Sequence, residues 1–481
     1  MPNKFSSKYQ LYCEKCGARF TDLNGNCPIC SGQIFVSYSE LSLNIRYCES
    51  IWRYIDLLPV DKGDNIITMG EGYTPLVQSQ RLAQKLGLRR LYMKDETQNP
   101  TGSFVDRGIS VDISKFSKRY RHFICATLGD TGASLSAYAA RAGVKSTIYV
   151  PEQIDTGKLY QMLLCGSDVK IVRDYEHALM HAESHKDVRI FRENSPYYLE
   201  GIKTIAFEIL EQLGWEPPDF ILAPMGTGGL VTAIWKGILE LETIGIIEDT
   251  PSIIGVQVKG IDTIVREFYG YNKNGPLEPS GILARDLNVA NPILSKHAIK
   301  AIKESGGTAV SIQNDKIPRY IRLLSTLEGI IADPAGVIPI VALEELVASY
   351  TVLPSESIVA IITGSGLKAP EILYNIVPMT DLLERIVGVS DIARVRRIGD
   401  TKFLIMRILS EKPMHGYELR KQLQKKYGLS LTTATIYQHL HELTTYGLIS
   451  KLTKKVKGRV RHYYFVTEAG SRLLNIHKQK D

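Results

Sequence analysis

Phe220-Ile-Leu-Ala-Pro224-Met-Gly226-Thr-Gly-Gly229-Leu-Val-Thr-Ala-Ile-Trp235 is the longest charge-free apolar stretch of this 481-residue chain. It is shorter than the ~20 apolar residues of a membrane-spanning helix, and Pro224 and the glycine run interrupt it. It therefore reads as a strand, a glycine loop and a helix. Outward from it, short apolar runs recur at 91–94, 123–126, 146–150, 169–172, 253–258 and 358–363, with amphipathic helical patterns between them. Nearly continuous apolar strands separated by helices predict an α/β fold with a mostly parallel sheet covered on both faces. In such sheets ligands bind beyond the strand C-termini, where helix N-termini present free amides. Three glycine-bearing segments occupy such positions: Thr127-Leu-Gly-Asp-Thr-Gly-Ala133, Met225-Gly-Thr-Gly-Gly229 and Thr363-Gly-Ser-Gly-Leu367. One alone is weak, because turns need glycine anyway. Three together point to a small-ligand site.

The N-terminal segment has a different logic. Cys13-x2-Cys16 and Cys27-x2-Cys30 are each followed closely by a glycine, Gly17 and Gly32. A CxxC pair curls the backbone so that two thiolates face one cation, and two pairs make the closed tetrahedral cage that Zn²⁺ accepts as a structural ion. Two disulfides are the alternative. The opening MPNKFSSKYQ lacks the apolar core of a secretory signal, so a cytoplasmic location is expected, and reducing conditions favour zinc. Cys48, Cys125 and Cys165 are scattered and read as core positions.

Hydrophobic residues at 44% and charged residues at 23% exclude wholesale disorder. The charge is uneven. From Thr401 to Asp481 there are 16 basic and 5 acidic residues, a balance of +11, leaving 42 basic and 46 acidic in the rest. A near-neutral body with a short basic module suits a small-molecule unit joined to a polyanion binder, although a solvated basic face would look the same. In that module helical spacing appears at Phe403, Ile405, Ile408 and Leu409, and after a His415-Gly416 break at Tyr417, Leu419 and Leu423. A third helix over 432–446 would bury Ile436, Leu440 and Leu443. It would present Thr432, Thr433, Thr435, Tyr437, Gln438 and His439 to phosphates or base edges. Two strands then flank a basic tip carrying Lys454, Lys455, Lys457, Arg459 and Arg461. The pattern predicts a winged helix-turn-helix reading double-stranded DNA.

Gly70-Glu-Gly-Tyr-Thr-Pro-Leu76, Lys94-Asp-Glu96, Asn99-Pro-Thr-Gly-Ser-Phe104 with Asp106-Arg107-Gly108, Leu199-Glu-Gly-Ile-Lys-Thr-Ile-Ala-Phe-Glu208 and Thr363-Gly-Ser-Gly-Leu-Lys368 resemble threonine synthase. That family depends on pyridoxal phosphate (PLP) and has the two-lobed fold type II. The resemblance implies a phosphate cradle at Gly226, Thr227, Gly228 and Gly229, a ring-nitrogen contact at Thr363, and ligand contacts at Ser103, Thr127, Gly129 and Thr131. It also marks two breaks. The Schiff-base lysine that follows Phe104 in the family is Val105 here, which can neither condense with an aldehyde nor shuttle a proton. The family's asparagine at the cofactor's 3′ oxygen is Asp130, which when ionised only accepts hydrogen bonds. Lys94 and Lys158 are the nearest candidates for a substitute amine, with a structural role the favoured reading of each.

His415-Gly-Tyr-Glu-Leu419, Thr435-Ile-Tyr-Gln-His-Leu440, Gly447-Leu-Ile449, Gly458-Arg-Val-Arg-His-Tyr-Tyr464 and Thr467-Glu-Ala-Gly470 resemble the PadR family of transcriptional regulators. Little chain follows Leu474, so the C-terminal arm by which many PadR proteins dimerise is short. A winged helix used for protein contacts is the alternative. The expected organisation is a zinc ribbon over 1–45, a threonine synthase-like body over 46–370, a linker with a short helix over 371–398 and a winged helix over 399–481. The leading functional expectation is a homodimeric DNA-binding regulator whose sensor is a disabled synthase-like body. Its effector would be PLP held non-covalently, an aldimine of PLP with an amino acid, an amino acid or a phospho-amino acid. The runner-up is an active PLP-dependent lyase with an appended winged helix. A scaffold that binds neither ligand nor DNA is third.

Overall fold

The computed structural model describes residues 8–23, 25–271, 281–376, 400–456 and 459–477. The chain divides into two compact units, Met1–Leu373 and Tyr374–Asp481.

The first unit begins with a three-stranded antiparallel ribbon, β1 (Tyr9–Cys13), β2 (Arg19–Phe20) and β3 (Ile34–Tyr38), in the order β2-β1-β3. Leu11, Cys13 and Ile34 are fully buried, and they join one hydrophobic core with Tyr54, Phe116, Tyr197 and Phe207 of the body. Polar ties reinforce the seam. Gln33 donates to the Asn194 carbonyl at 2.8 Å, Tyr38 donates to Glu200 at 2.6 Å, and Lys300 pairs with Glu14 at 2.9 Å.

Along the body, β4 (Leu76–Ser79) and β5 (Arg90–Asp95) precede helix α1 (Val105–Phe116). Then come β6 (His122–Ala126), α2 (Asp130–Ala142), β7 (Lys145–Pro151), α3 (Thr156–Leu164), β8 (Asp168–Val172) and β9 (Arg189–Ile190). These four strands make a wholly parallel sheet in the order β8-β7-β6-β9. The chain continues through α4 (Thr204–Gln212), β10 (Phe220–Pro224), α5 (Gly229–Ile244), β11 (Ser252–Val258), α6 (Ser295–Glu304), β12 (Thr308–Ile312), α7 (Pro334–Ala348) and β13 (Ser357–Ile362). The second sheet has the order β12-β11-β10-β13-β5-β4, parallel except for the antiparallel edge strand β4. β13 is buried at every position, as its unbroken apolar run predicts. All seven expected strands are present. β4, β9 and β12 are additional, and they are short or lie at a sheet edge.

Several quoted motifs meet in one buried knot rather than at a cavity. The Arg107 guanidinium donates to both oxygens of Glu96, at 2.7 Å each, and to both of Glu208, at 2.6 and 2.7 Å. Lys94 donates to Glu208 at 2.8 Å, to the Thr74 carbonyl at 2.7 Å and to Gln212 at 2.9 Å. All four charged side chains are completely enclosed. Two cations facing two anions, with most lone pairs and protons satisfied, is the condition under which charges tolerate burial.

The second unit contains α8 (Asp400–Glu411), α9 (Gly416–Tyr427), α10 (Thr433–Thr445), β14 (Ile449–Val456), β15 (Arg459–Val466) and α11 (Glu468–His477). Ile405, Leu409, Leu419, Leu423, Ile436, Leu440, Leu443 and Leu474 form its core. His415 caps α9, its Nδ1 accepting from the Glu418 amide at 3.1 Å. One expected core position differs. Tyr417 is 53% exposed, with Arg420 and Lys421 lying over its ring. Leu419 and Leu423, four residues apart, already define the inner face of α9, and a residue two before Leu419 points away from it. A helix, Pro370–Ile376, runs from the end of the expected body into the expected linker, and 377–398 lies outside the described residues.

Candidate functional site

One cavity of the first unit opens where β6, β10 and β13 end. Its volume is about 90 Å³, room for several waters at ~10–15 Å³ each. After β10, Gly228 takes φ +89, and a Cβ there would lie 2.8 Å from the Leu294 carbonyl oxygen, so both backbone conformation and packing require glycine. α5 starts directly after it with no side-chain cap. Its first amide, Gly229, donates to the Thr227 hydroxyl at 3.4 Å, and the next amides of the turn, which lack an intrahelical acceptor, can meet an anion. Thr363 follows β13 and is buried at the cavity wall. Thr127 accepts from the Gly129 amide at 2.9 Å, which fixes the loop before α2, and Thr131 donates to Glu193 at 2.7 Å. Ser103 is fully buried and bridges to Gly364 through the backbone, without lining the cavity.

Val105 opens α1 and lines the cavity. The two candidate amines are both committed elsewhere. Lys94 belongs to the buried knot, saturated by three acceptors. Lys158 lies behind the cavity wall, paired with Asp286, with Asp155 at 3.2 Å and with Asp130 at 3.3 Å. Burial would lower its affinity for protons, but Asp130, Asp286, Asp333 and Asp155 raise it well above the ordinary lysine value. An ammonium held protonated in this way has no lone pair for a carbonyl carbon.

Asp130 is the hub of a charge cluster that sequence reading missed. Lys368 pairs with it at 2.8 Å. Burial would raise its carboxyl, but Lys158 and Lys368 overcome that and hold it below the usual carboxylate range. Oxygens of Asp130, Asp286 and Asp333 come within 4.8 Å of one another. Asp333 also caps α7, accepting from the Gly336 amide at 2.6 Å. Burial, opposed by Lys158 and reinforced by Asp130, Asp333 and Asp155, pushes Asp286 up to about 7. Burial likewise raises Glu193. Asp286 sits in a one-turn 3-10 helix, Arg285–Leu287, that carries no sequence signal of its role. Asp333 precedes Pro334, a recognisable helix start that says nothing of what the carboxylate faces.

For a pyridine phosphate aldehyde the fit is mixed. The glycine cradle and helix start suit a phosphate, and Thr363 stands at the wall. At the other end an isopropyl group replaces the amine, and Asp130 is pinned by two ammonium groups. The covalent form of such a cofactor does not fit the described residues.

In the ribbon, the Sγ atoms of Cys13 and Cys30 are 3.4 Å apart and those of Cys16 and Cys27 3.7 Å, with all four in one cluster. A tetrahedral Zn–S site at about 2.3 Å per bond spaces its sulfurs by about 3.8 Å. The four cysteines could hold a metal ion.

On the second unit, Thr432, Thr433, Tyr437 and Gln438 lie on the exposed side of α10. Thr432 caps that helix, accepting from the Thr435 amide at 3.1 Å, and the two hydroxyls pair at 2.7 Å. The Thr435 hydroxyl is thus engaged locally, and His439 is half-buried. Lys454 pairs in register with Arg461, and Lys455 with Val460, next to the Val456–Arg459 pair. Lys457 lies outside the described residues.

Comparison with known proteins agrees with this geometry. Residues 67–364 match the family described as pyridoxal-phosphate dependent enzyme, and 405–476 match the transcriptional regulator PadR-like family. Threonine synthase of Methanosarcina acetivorans is 36% identical over 383 residues, covering 76% of this chain and 94% of that protein. Threonine synthase of Methanocaldococcus jannaschii is 36% identical over 376 residues, covering 75% and 93%. Among solved structures, maize serine racemase superposes with a TM-score of 0.54 at 19% identity, covering 65% of this chain and 93% of that one. No helix among the described residues is long and apolar enough to cross a membrane.

Proposed function

Because this chain belongs to the pyridoxal-phosphate dependent enzyme family, with threonine synthases as relatives and a PadR-like domain at its end, we propose that it is a ligand-responsive DNA-binding regulator whose sensor is a threonine synthase-like body that no longer catalyses. The observation that supports this most is the cavity wall. It keeps a helix N-terminus and a glycine cradle, yet Val105 stands at the amine position and no lysine or arginine lines the wall among the described residues. Such a pocket binds an anionic small molecule and lacks the group that would transform it.

Ligand binding in the body changes the affinity of the winged helix for DNA. A differential affinity of about 1–3 kcal/mol between two conformations, or ~5–150-fold, makes a usable switch. The regulator acts as a homodimer assembled through the body and reads half-sites about one helical turn apart, or a multiple of that. Zinc in the four-cysteine cluster clips the ribbon to the body. The enzymatic alternative needs an uncharged amine in the cavity, and Lys158, its best candidate, is held protonated by its carboxylate partners.

The test is a mobility shift of the full-length protein on DNA upstream of its own coding region, with and without candidate effectors. A retarded band whose midpoint moves at least about fivefold with one effector is expected. No retardation at low salt under any of these conditions would reject regulation. Steady turnover of an amino-acid substrate would reject the inactive sensor.

A further inference from the structure

We propose that the body pairs with a second copy of itself through strand β8 and the outer side of helix α3, in one register about a two-fold axis through Val169. This names the surface of the homodimer in the regulator reading above and rests on that reading.

The parallel sheet β8-β7-β6-β9 ends at β8. The Val172 carbonyl accepts from the Glu152 amide, next after β7, at 3.0 Å. Successive residues of a strand turn their backbone groups to opposite neighbours, so those of Val169 and Ile171 face outward. Among the described residues no strand pairs with that edge. Such a row of donors and acceptors is a template for another strand.

Helix α3, packed on α2 and β8, is apolar on two sides. Leu159 and Met162 join the core, yet Tyr160, Leu163 and Leu164, on the other side, are 63%, 49% and 85% exposed. A surface helix ordinarily keeps polar residues there. Ile171 is 56% exposed and shares a face of the sheet with Val169, which packs against the core. These four side chains offer roughly 400 Å² of apolar surface, against the ~800 Å² that each partner gives a standard interface. The strand edge and its flanks supply the remainder.

The occupant follows from charge. Asp168 and Lys170 flank Val169, both exposed and 2.9 Å from each other. In an antiparallel second copy with its Val169 opposite Val169, its Lys170 falls opposite Asp168 and its Asp168 opposite Lys170. The four groups close a square of alternating charge. Moving the centre one residue on sets two lysines face to face, and like charges directly opposite are destabilising. The edge is thus self-complementary, as an isologous two-fold contact demands. The outward N–H and C=O of the two Val169 residues exchange hydrogen bonds, the two sheets become one, and the exposed sides of both α3 helices lie on its same face.

The test is sedimentation velocity of the full-length protein, without DNA, across a micromolar concentration series. A species of twice the 53.7 kDa chain mass is expected. Leu164→Glu, and Ile171→Pro, which removes an outward N–H, should each weaken the dimer at least about tenfold. Asp168→Lys and Lys170→Asp should each weaken it about fivefold, and an equimolar mixture of these two should recover the unmodified constant, because opposite charges then face each other again. Unchanged melting temperatures show that the variants fold. If Leu164→Glu melts early, Tyr160→Glu replaces it, and recovery in the mixture itself requires folded partners. A monomer throughout, growth beyond the dimer, a constant indifferent to Leu164→Glu and Ile171→Pro, or a mixture no tighter than its components overturns the proposal. A dimer indifferent to the substitutions that still retards DNA leaves regulation standing on another interface. A dimer that obeys them without retarding DNA keeps the surface and rejects the regulator.

Discussion

Val105 packs at the start of α1 with only 3% of its surface exposed, so its replacement by a longer side chain is a question of direction as well as chemistry. Val105→Lys places an amine in the wall and should give a yellow protein with pyridoxal 5′-phosphate, the colour fixed to the lysine by borohydride. Turnover should stay absent while Asp130 remains. Val105→Met, of similar reach without nitrogen, should stay colourless, and absorbance spectra decide both. Glu208 is the other residue on which much depends. Burial would raise its carboxyl, but Arg107 and Lys94 hold it at about 2, against 4.5 ordinarily. A depressed carboxyl stabilises the fold above its unfolded value and loses that contribution as the pH falls. About 3 kcal/mol should therefore disappear between pH ~4.5 and ~2. Glu208→Gln leaves Arg107 and Lys94 facing Glu96 alone and should cost about 3–5 kcal/mol at neutral pH. Urea unfolding of the body checks the second figure, and the acid limb of its stability curve the first.

Among the elements, the ribbon is the one whose cysteines could hold a metal ion. Its four cysteines cluster at one end, and Gly32 leaves no room for a Cβ, which would lie 2.8 Å from the Cys13 sulfur. Removal of metal by a chelator, or Cys16→Ser, should lower the body's melting temperature by several degrees (roughly 2–4 °C per kcal/mol for a unit this size or smaller), and calorimetry with metal analysis of the protein reads it. The central strands were legible from sequence because burial on both faces writes a continuous apolar run, as in Ile358-Val-Ala-Ile-Ile362. β12, Thr308-Ala-Val-Ser-Ile312, lies at the sheet edge, half exposed, and its mixed pattern announced nothing. The same contrast holds for the site. Its glycine loops are local and could be read. Asp286 and Asp333 reach Asp130 only through tertiary folding, across more than a hundred residues of chain. Tyr417 misled because an aromatic beside leucines looks like core until the helix's inner face is known.

For the whole molecule, the +11 balance of the C-terminal module makes a quantitative statement about DNA. Each phosphate contact steepens the salt dependence by about 0.9 in the logarithmic slope. Charge reversal at Lys455 and Lys457 should therefore weaken binding on every sequence and flatten that slope by about 2. Fluorescence anisotropy across a salt series measures it. The first unit carries a practical corollary of a different kind. Leu11 and Ile34 of the ribbon share an apolar cluster with Phe116 and Tyr197, and Tyr9 meets the Tyr197 ring edge-on at 6.3 Å. Starting the polypeptide near residue 46, as a tidy excision would, strips that cover and leaves an oily scar for other copies to stick to. Expression of the body for crystallography should retain the leading segment, and the trimmed version should be found in the pellet.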